Sequence, residues 1–349
     1  MSKLPDAAPV PERPPLHLRG GYLCVASPLS LAEACFSVPA VRAMRAMRPQ
    51  STLVVLCPES LAPIWNRVTE LNGVISYPDK SNARNIAALL KAQDIQFESA
   101  ICWEAGEAAK AFARLQTVQR LGYPAKGLDK ILTDVVSRVV SPGPIEHRVK
   151  HYLTMVQELG GDPFVKQNFQ TPPLPPAPQP MRIALAPASG FGASYRWPLE
   201  KYAELVQSVD DLSANVEWVI LGQGRDKETQ SLCAKLADLL EGRATNHAAE
   251  WGMEETLHAL PHCSALVAGD GDTAHLAAHV GLPAVVIFGP GEPAWKRPLG
   301  KQSRVVREHV ACSPCFDAKC ALDHRCMTTV EVGDVFKQLE LAVAERATG

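Results

Sequence analysis

The stretch SALVAGDGDTAHLAAHVGLPAVVIFGP, residues 264–290, decides the fold. Residues 265–268 form a short apolar run of strand length. Gly269-Asp270-Gly271-Asp272 makes a turn. A small-residue helix begins near Thr273 and runs through His275-Leu276-Ala277-Ala278. Gly281-Leu282-Pro283 ends it, and 284–288 reads as the next buried strand. This is a strand–turn–helix–strand unit, with its turn where a parallel sheet presents ligand sites. Asp272 or Thr273 can cap the helix and leave backbone N–H groups aimed at the turn. Such an N-terminus receives phosphate, and Gly271 permits close backbone approach. On spacing alone, an ordinary βαβ crossover with a polar turn fits as well.

Outward from this unit, apolar runs and helical patterns alternate along the chain. Residues 22–26, 52–57, 73–77, 97–102 and 120–123 read as strands. Residues 34–47, 61–71, 82–92, 107–113 and 146–159 read as helices. Then comes 171–180, Thr-Pro-Pro-Leu-Pro-Pro-Ala-Pro-Gln-Pro, whose six prolines predict an extended linker. The alternation restarts with strands at 182–186 and 217–221 and helices at 198–209, 226–240 and 254–260. A last helix covers 328–347. The expected organisation is a tail over 1–19, an α/β domain over 20–170, a linker over 171–180, a second α/β domain over 181–330, and a closing helix over 331–349. Two such halves imply a cleft between them.

Composition narrows the function. The 349 residues are 46% hydrophobic and 21% charged, as in a soluble globular protein. A net charge of -2 argues against general nucleic-acid binding. No apolar run reaches membrane-spanning length, and the proline-rich start lacks the apolar core of a secretory signal. A cytoplasmic location is the expectation. Ten cysteines then point to buried thiols or metal ligands rather than disulfides.

Three motifs stand in order in the second half. The first is Ala186-Pro-Ala-Ser-Gly-Phe-Gly-Ala-Ser-Tyr-Arg-Trp-Pro198. The second is the opening unit, with Asp270, His275, Gly281-Leu-Pro283 and Phe288-Gly-Pro290. The third is Cys312-Ser-Pro-Cys315, Cys320 and His324-Arg-Cys326. Together they resemble the bacterial heptosyltransferases of glycosyltransferase family 9, which move heptose from ADP-heptose onto the lipopolysaccharide inner core. Ser37-Val-Pro-Ala-Val-Arg42, Arg120-Leu-Gly-Tyr123, His147 and Tyr152 have weaker counterparts there. The resemblance runs over about 22–344. It implies the GT-B architecture, two Rossmann-like domains facing across a cleft, with the nucleotide held by the second.

The resemblance also implies site residues. The acceptor hydroxyl needs a base. The family keeps an Asp in a Gly-Asp pair before its first helix, and counting back from Pro39 puts Glu33 there, preceded by Ala32. The leaving diphosphate needs N–H dipoles or positive charge. Ser189 and Ser194 offer hydroxyls in a glycine-containing loop. Tyr195 stands where the family has a Lys, and the next residue, Arg196, can substitute for its charge. At the turn the family reads Asp, Ser or Thr, Gly, two variable residues, then His. This chain keeps Asp270 and His275 but has Gly271, Asp272 and Thr273 between, so Asp272 adds a carboxylate near the expected phosphates. Gly222-Gln-Gly224 resembles the loop near the nucleoside, and Glu228 can reach a ribose hydroxyl. No catalytic metal is implied. Cys312, Cys315, Cys320 and Cys326 can hold a structural zinc or iron ion, form a buried thiol cluster, or supply a redox pair.

The implied partners are a nucleotide sugar and a saccharide or lipid-linked acceptor, with peripheral association at the inner membrane face. A second reading is a catalytically weak relative that binds a sugar nucleotide or a protein, motivated by Glu33, Tyr195 and Gly271-Asp272. A third is a nucleotide-sugar epimerase of the same fold. Arg42, Arg45 and Arg48 on the first helix can face an acidic acceptor or form a solvated face.

Overall fold

The computed structural model describes residues 16–137, 144–213, 215–222 and 226–348. The N-terminal half runs β1 (Tyr22–Ala26), α1 (Leu31–Met47), β2 (Thr52–Pro58), α2 (Ala62–Trp65), β3 (Gly73–Tyr77), α3 (Ala83–Lys91), β4 (Ser99–Cys102), α4 (Glu107–Arg114), β5 (Gln119–Gly122), β6 (Asp134–Val135) and α5 (Val149–Glu158). The C-terminal half runs β7 (Met181–Ala186), α6 (Leu199–Asp210), β8 (Val216–Ile220), α7 (Lys227–Leu239), β9 (Ala244–Asn246), α8 (Met253–Ala259), β10 (Ala265–Gly269), α9 (Asp272–Val280), β11 (Ala284–Phe288), α10 (Pro293–Lys296), β12 (Ser303–Arg307), α11 (Arg325–Thr328) and α12 (Val332–Thr348).

Each half holds one six-stranded sheet, ordered β3-β2-β1-β4-β5-β6 and β12-β11-β10-β7-β8-β9. All pairings are parallel. Strands sandwiched between helices must be apolar on both sides, and β10 and β11 are buried at every position. The strand order reverses beside β1 in one sheet and beside β7 in the other, which places a crevice at β1/β4 and at β7/β10. Glu33 follows β1, and Ser189 and Asp270 follow β7 and β10. The fold therefore brings the candidate residues to the two crevices.

Several expected elements change length. The helix expected over 61–71 closes after Trp65. Asn66, Val68 and Thr69 favour helix weakly, and Asn72 is held by Leu53 N (2.8 Å), which draws the chain into β3. Strands β6, β9 and β12 are short edge or near-edge segments with little apolar pattern to read. Residues 1–15 of the expected tail lie outside the described residues, but Leu18 is buried and Arg19 N donates to Ser99 Oγ (3.1 Å) and Gln119 Oε1 (2.9 Å). Gln223 and Gly224 of the expected nucleoside loop also lie outside them.

The proline-rich linker is pinned by arginine at its start and at its middle. Arg42 donates to the Gln170 carbonyl, and Arg346 donates to the carbonyls of Pro175 (2.6 Å) and Cys263 (3.2 Å). Arg45 likewise bonds the carbonyls of Glu70 (2.8 Å) and Ser51 (2.6 Å), and Arg48 that of Gly20. The two arginines of α1 and its C-cap Arg48 are thus fastened to backbone rather than presented to an acceptor. Across the domain junction, α1 packs on α9, and one apolar core cluster runs from Phe36 and Ala40 to Ala274 and Ala277.

Candidate active site

Glu33 lies in the first turn of α1, where the Ser30 hydroxyl caps the helix by accepting from Glu33 N (3.3 Å). Its side chain is only 13% exposed and is tied from three sides. Tyr152 donates its hydroxyl to Oε2 (2.5 Å), and Arg148 Nε reaches Oε2 (2.8 Å) and Oε1 (3.0 Å). From the other domain, Lys296 Nζ stands 3.4 Å from Oε1. Burial, then the charge of Glu33, pushes the Tyr152 phenol well above its ordinary pKa, so it stays a neutral donor. The carboxylate is therefore held in one orientation at the cleft, as a base must be. Glu104 stands nearby, its pKa raised by burial and held down in part by Leu29 N at 2.7 Å.

Main-chain bonds fix the two sides of this site to each other. Arg148 N donates to the Trp295 carbonyl (2.8 Å), and His147 Nε2 donates to that of Arg297 (2.8 Å). Val149 N donates to His147 Nδ1 (3.1 Å), which leaves the proton on Nε2. The segment 295–297 is thereby locked beside Glu33.

The turn after β10 is buried and acidic. Asp270 is 4% exposed, and its Oδ1 has no hydrogen-bond partner among the described residues. Burial raises its pKa to about 7, with Lys296 opposing and Asp272 adding to the rise. Burial also raises the pKa of Asp272, the first residue of α9. Burial thus favours the neutral form of both carboxyls, the form that does not repel a phosphate. Gly271 has extended backbone, and a Cβ there would sit 3.3 Å from Ser189 Oγ, so glycine lets the two loops meet. Thr273 is buried.

His275 could bond the turn or a phosphate, or serve structurally at the helix start. Its ring is buried edge-to-face on Phe36 (centroids 5.0 Å apart), and neither ring nitrogen has a partner among the described residues. Burial, then His147 and Lys296, lowers its pKa to about 3, so it is neutral.

The loop after β7 departs further from expectation. The Ser189 hydroxyl donates to the Asp270 carbonyl (2.7 Å), and that of Ser194 to the Asp317 carbonyl. Each hydroxyl has one proton, so neither is free to donate to a diphosphate here. Tyr195 is buried, its pKa pushed up to about 12 first by burial and then by Asp270. Arg196 Nη1 donates to Glu228 Oε1 (2.7 Å). The two residues expected at a phosphate and at a ribose are paired with each other.

The four-cysteine segment braces these loops. Besides the Ser194 bond, Ser194 N donates to Ala318 O (3.3 Å), the Ser313 hydroxyl to Gly289 O (2.5 Å), and Phe316 N to Pro290 O (3.0 Å). Cys312 and Cys315 are exposed, Cys320 is half-buried and Cys326 is buried on α11. Among the described residues no three His, Cys, Asp or Glu side chains are arranged to hold a metal ion.

Sequence reading missed Lys296, Arg148 and Glu104. Lys296 sits just past the carboxyl end of β11, beside the crevice strand β10. A basic residue at such a strand end is a signal that can find it. Arg148 carries no motif.

Two parallel-sheet domains, with an oriented carboxylate on one and a buried helix start after the crevice strand of the other, have the architecture of a GT-B glycosyltransferase. The profile of glycosyltransferase family 9 (heptosyltransferase) matches residues 112–325, and the chain belongs to that family. It is 24% identical over 313 residues to lipopolysaccharide heptosyltransferase 2 of Escherichia coli, covering 82% of this chain and 87% of that one. The solved structure of E. coli ADP-heptose lipopolysaccharide heptosyltransferase II superposes with a TM-score of 0.74 at 21% identity, over 93% of this chain and 99% of that one. A family 9 glycosyltransferase from Veillonella parvula superposes with a TM-score of 0.75 at 14% identity, over 95% and 99%.

Proposed function

We propose that this protein transfers heptose, with inversion, from ADP-heptose to a saccharide of the lipopolysaccharide core. The observation that carries the reading is the oriented Glu33 carboxylate, which meets Lys296 from the domain that holds the buried turn at the start of α9. In the step, the acceptor oxygen bonds to the sugar's anomeric carbon. The bond from that carbon to the diphosphate oxygen breaks, and its electron pair leaves with ADP. Glu33 takes the acceptor's proton. The N-terminal N–H groups of α9 favour the departing charge. We place the lipid-borne acceptor at the inner face of the cytoplasmic membrane, visited peripherally. Among the described residues no helix is long and apolar enough to cross a membrane.

The test incubates the purified full chain with ADP-heptose and core lipopolysaccharide of increasing truncation. ADP release matched by one added heptose on one acceptor, with none from UDP-glucose, is the expected result. ADP binding without transfer to any acceptor would instead favour the catalytically weak relative.

A further inference from the structure

We propose that Lys296 is the cation that receives the donor's diphosphate, and that its ion pair with Glu33 is a resting contact that donor binding breaks. The inference rests on the donor assigned above and deepens it.

A leaving diphosphate needs positive charge, yet the side chains at the turn are two carboxylates, Asp270 and Asp272. Most donors in the adjoining loops are engaged, although Arg196 Nε has no partner among the described residues. Ser189 and Ser194 donate to backbone carbonyls, Arg196 is paired with Glu228, and Tyr195 is buried and neutral. Among the described residues, two cations pair with Glu33. Arg148 belongs to the Glu33 side and spans both oxygens of that carboxylate at 2.8 and 3.0 Å. Lys296 belongs to the donor side, one strand from Asp270, and touches Glu33 at only 3.4 Å.

The surroundings of Lys296 suit a mobile charge on a fixed base. The main-chain bonds of Trp295 and Arg297 to the 147–148 segment hold its backbone. Its side chain is 29% exposed, with Nζ 4.8 Å from the Trp295 ring centroid. Its charge already acts on Asp270 and His275 in the β10–α9 unit. A lysine has three donors on a flexible stem and can swing to a new partner. When Nζ turns to the diphosphate, Glu33 Oε1 loses its weakest partner. That oxygen then has a lone pair for the acceptor hydroxyl, so donor binding prepares the base.

Calorimetry with ADP and with adenosine on wild-type, Lys296→Met and Lys296→Arg protein tests this. Lys296→Met should raise the ADP Kd about tenfold or more, the worth of a charge-assisted contact. Its adenosine Kd should match wild type, and Lys296→Arg should recover most of the ADP affinity. Glu33→Gln, which releases Lys296, should bind ADP at least as tightly as wild type. Equal ADP affinity in Lys296→Met and wild type overturns the assignment while leaving the donor reading intact. Parallel loss of adenosine binding also overturns it, since the site is then merely distorted. Wild-type protein that binds no ADP removes the donor reading and this assignment with it.

Discussion

Asp270 sits beside Asp272 at the end of β10, and burial lifts its pKa to about 7, against about 3.9 for a free aspartate. Between those values the folded protein keeps a proton that the unfolded chain has released. Its stabilising contribution is therefore full below about pH 4 and is lost as pH rises through about 7. Asp270→Asn should gain stability relative to wild type on going from pH 5 to pH 8, measured by urea unfolding. An unchanged difference would contradict the raised pKa. With the diphosphate placed at this turn as proposed, the same ionisation should set ADP affinity, because an anionic carboxylate repels phosphate. Wild-type ADP binding should weaken from pH 6 to pH 8 more than that of Asp270→Asn. Equal pH slopes would show that Asp270 does not face the diphosphate. At this scale the sequence was partly legible. The residue types at Glu33 and Asp270 show in order and spacing. The direction of a side chain does not, and so the Arg196–Glu228 pair and the internal bonds of Ser189 and Ser194 went unseen.

Helices α1, α5 and α9 form the element that joins the domains, and Phe36 is its centre. The ring is fully buried and meets His147 and His275 edge-to-face at 5.1 and 5.0 Å. Phe36→Ala should cost about 3–5 kcal/mol, because the cavity lies between three packed helices. Phe36→Leu should recover most of that, since it keeps apolar volume. Equal loss in both would point to the ring contacts rather than to volume. Elements with a strong apolar period were readable. The strand at 22–26 and the one at 284–288 match β1 and β11 residue for residue. Elements fixed by tertiary contacts were not. The turn after Trp65 depends on Asn72 bonding Leu53, and β12 (Ser303–Arg307) alternates too weakly to show as an edge strand. The four-cysteine segment shows the same limit. Its spacing leaves a metal, a thiol cluster and a redox pair open, and does not show the bonds by which it braces Gly289, Pro290 and Ser194.

At the scale of the molecule, the two sheets share one strand order, and each contributes one crevice to the site. That duplication was legible because each half repeats the strand–helix alternation on either side of residues 171–180. The relative placement of the halves was not, because it depends on single contacts such as Arg148 N to Trp295 O and Arg67 to Glu254 (2.8 Å). On the proposed function the labour is divided: the N-terminal domain supplies the base, and the C-terminal domain supplies the donor turn and Lys296. Turnover of ADP-heptose by Glu33→Gln, with donor binding measured on the same protein, tests this division most directly. Donor should bind at wild-type affinity or tighter, while kcat falls at least about a hundredfold, the usual worth of a general base. Wild-type turnover by Glu33→Gln would contradict the account.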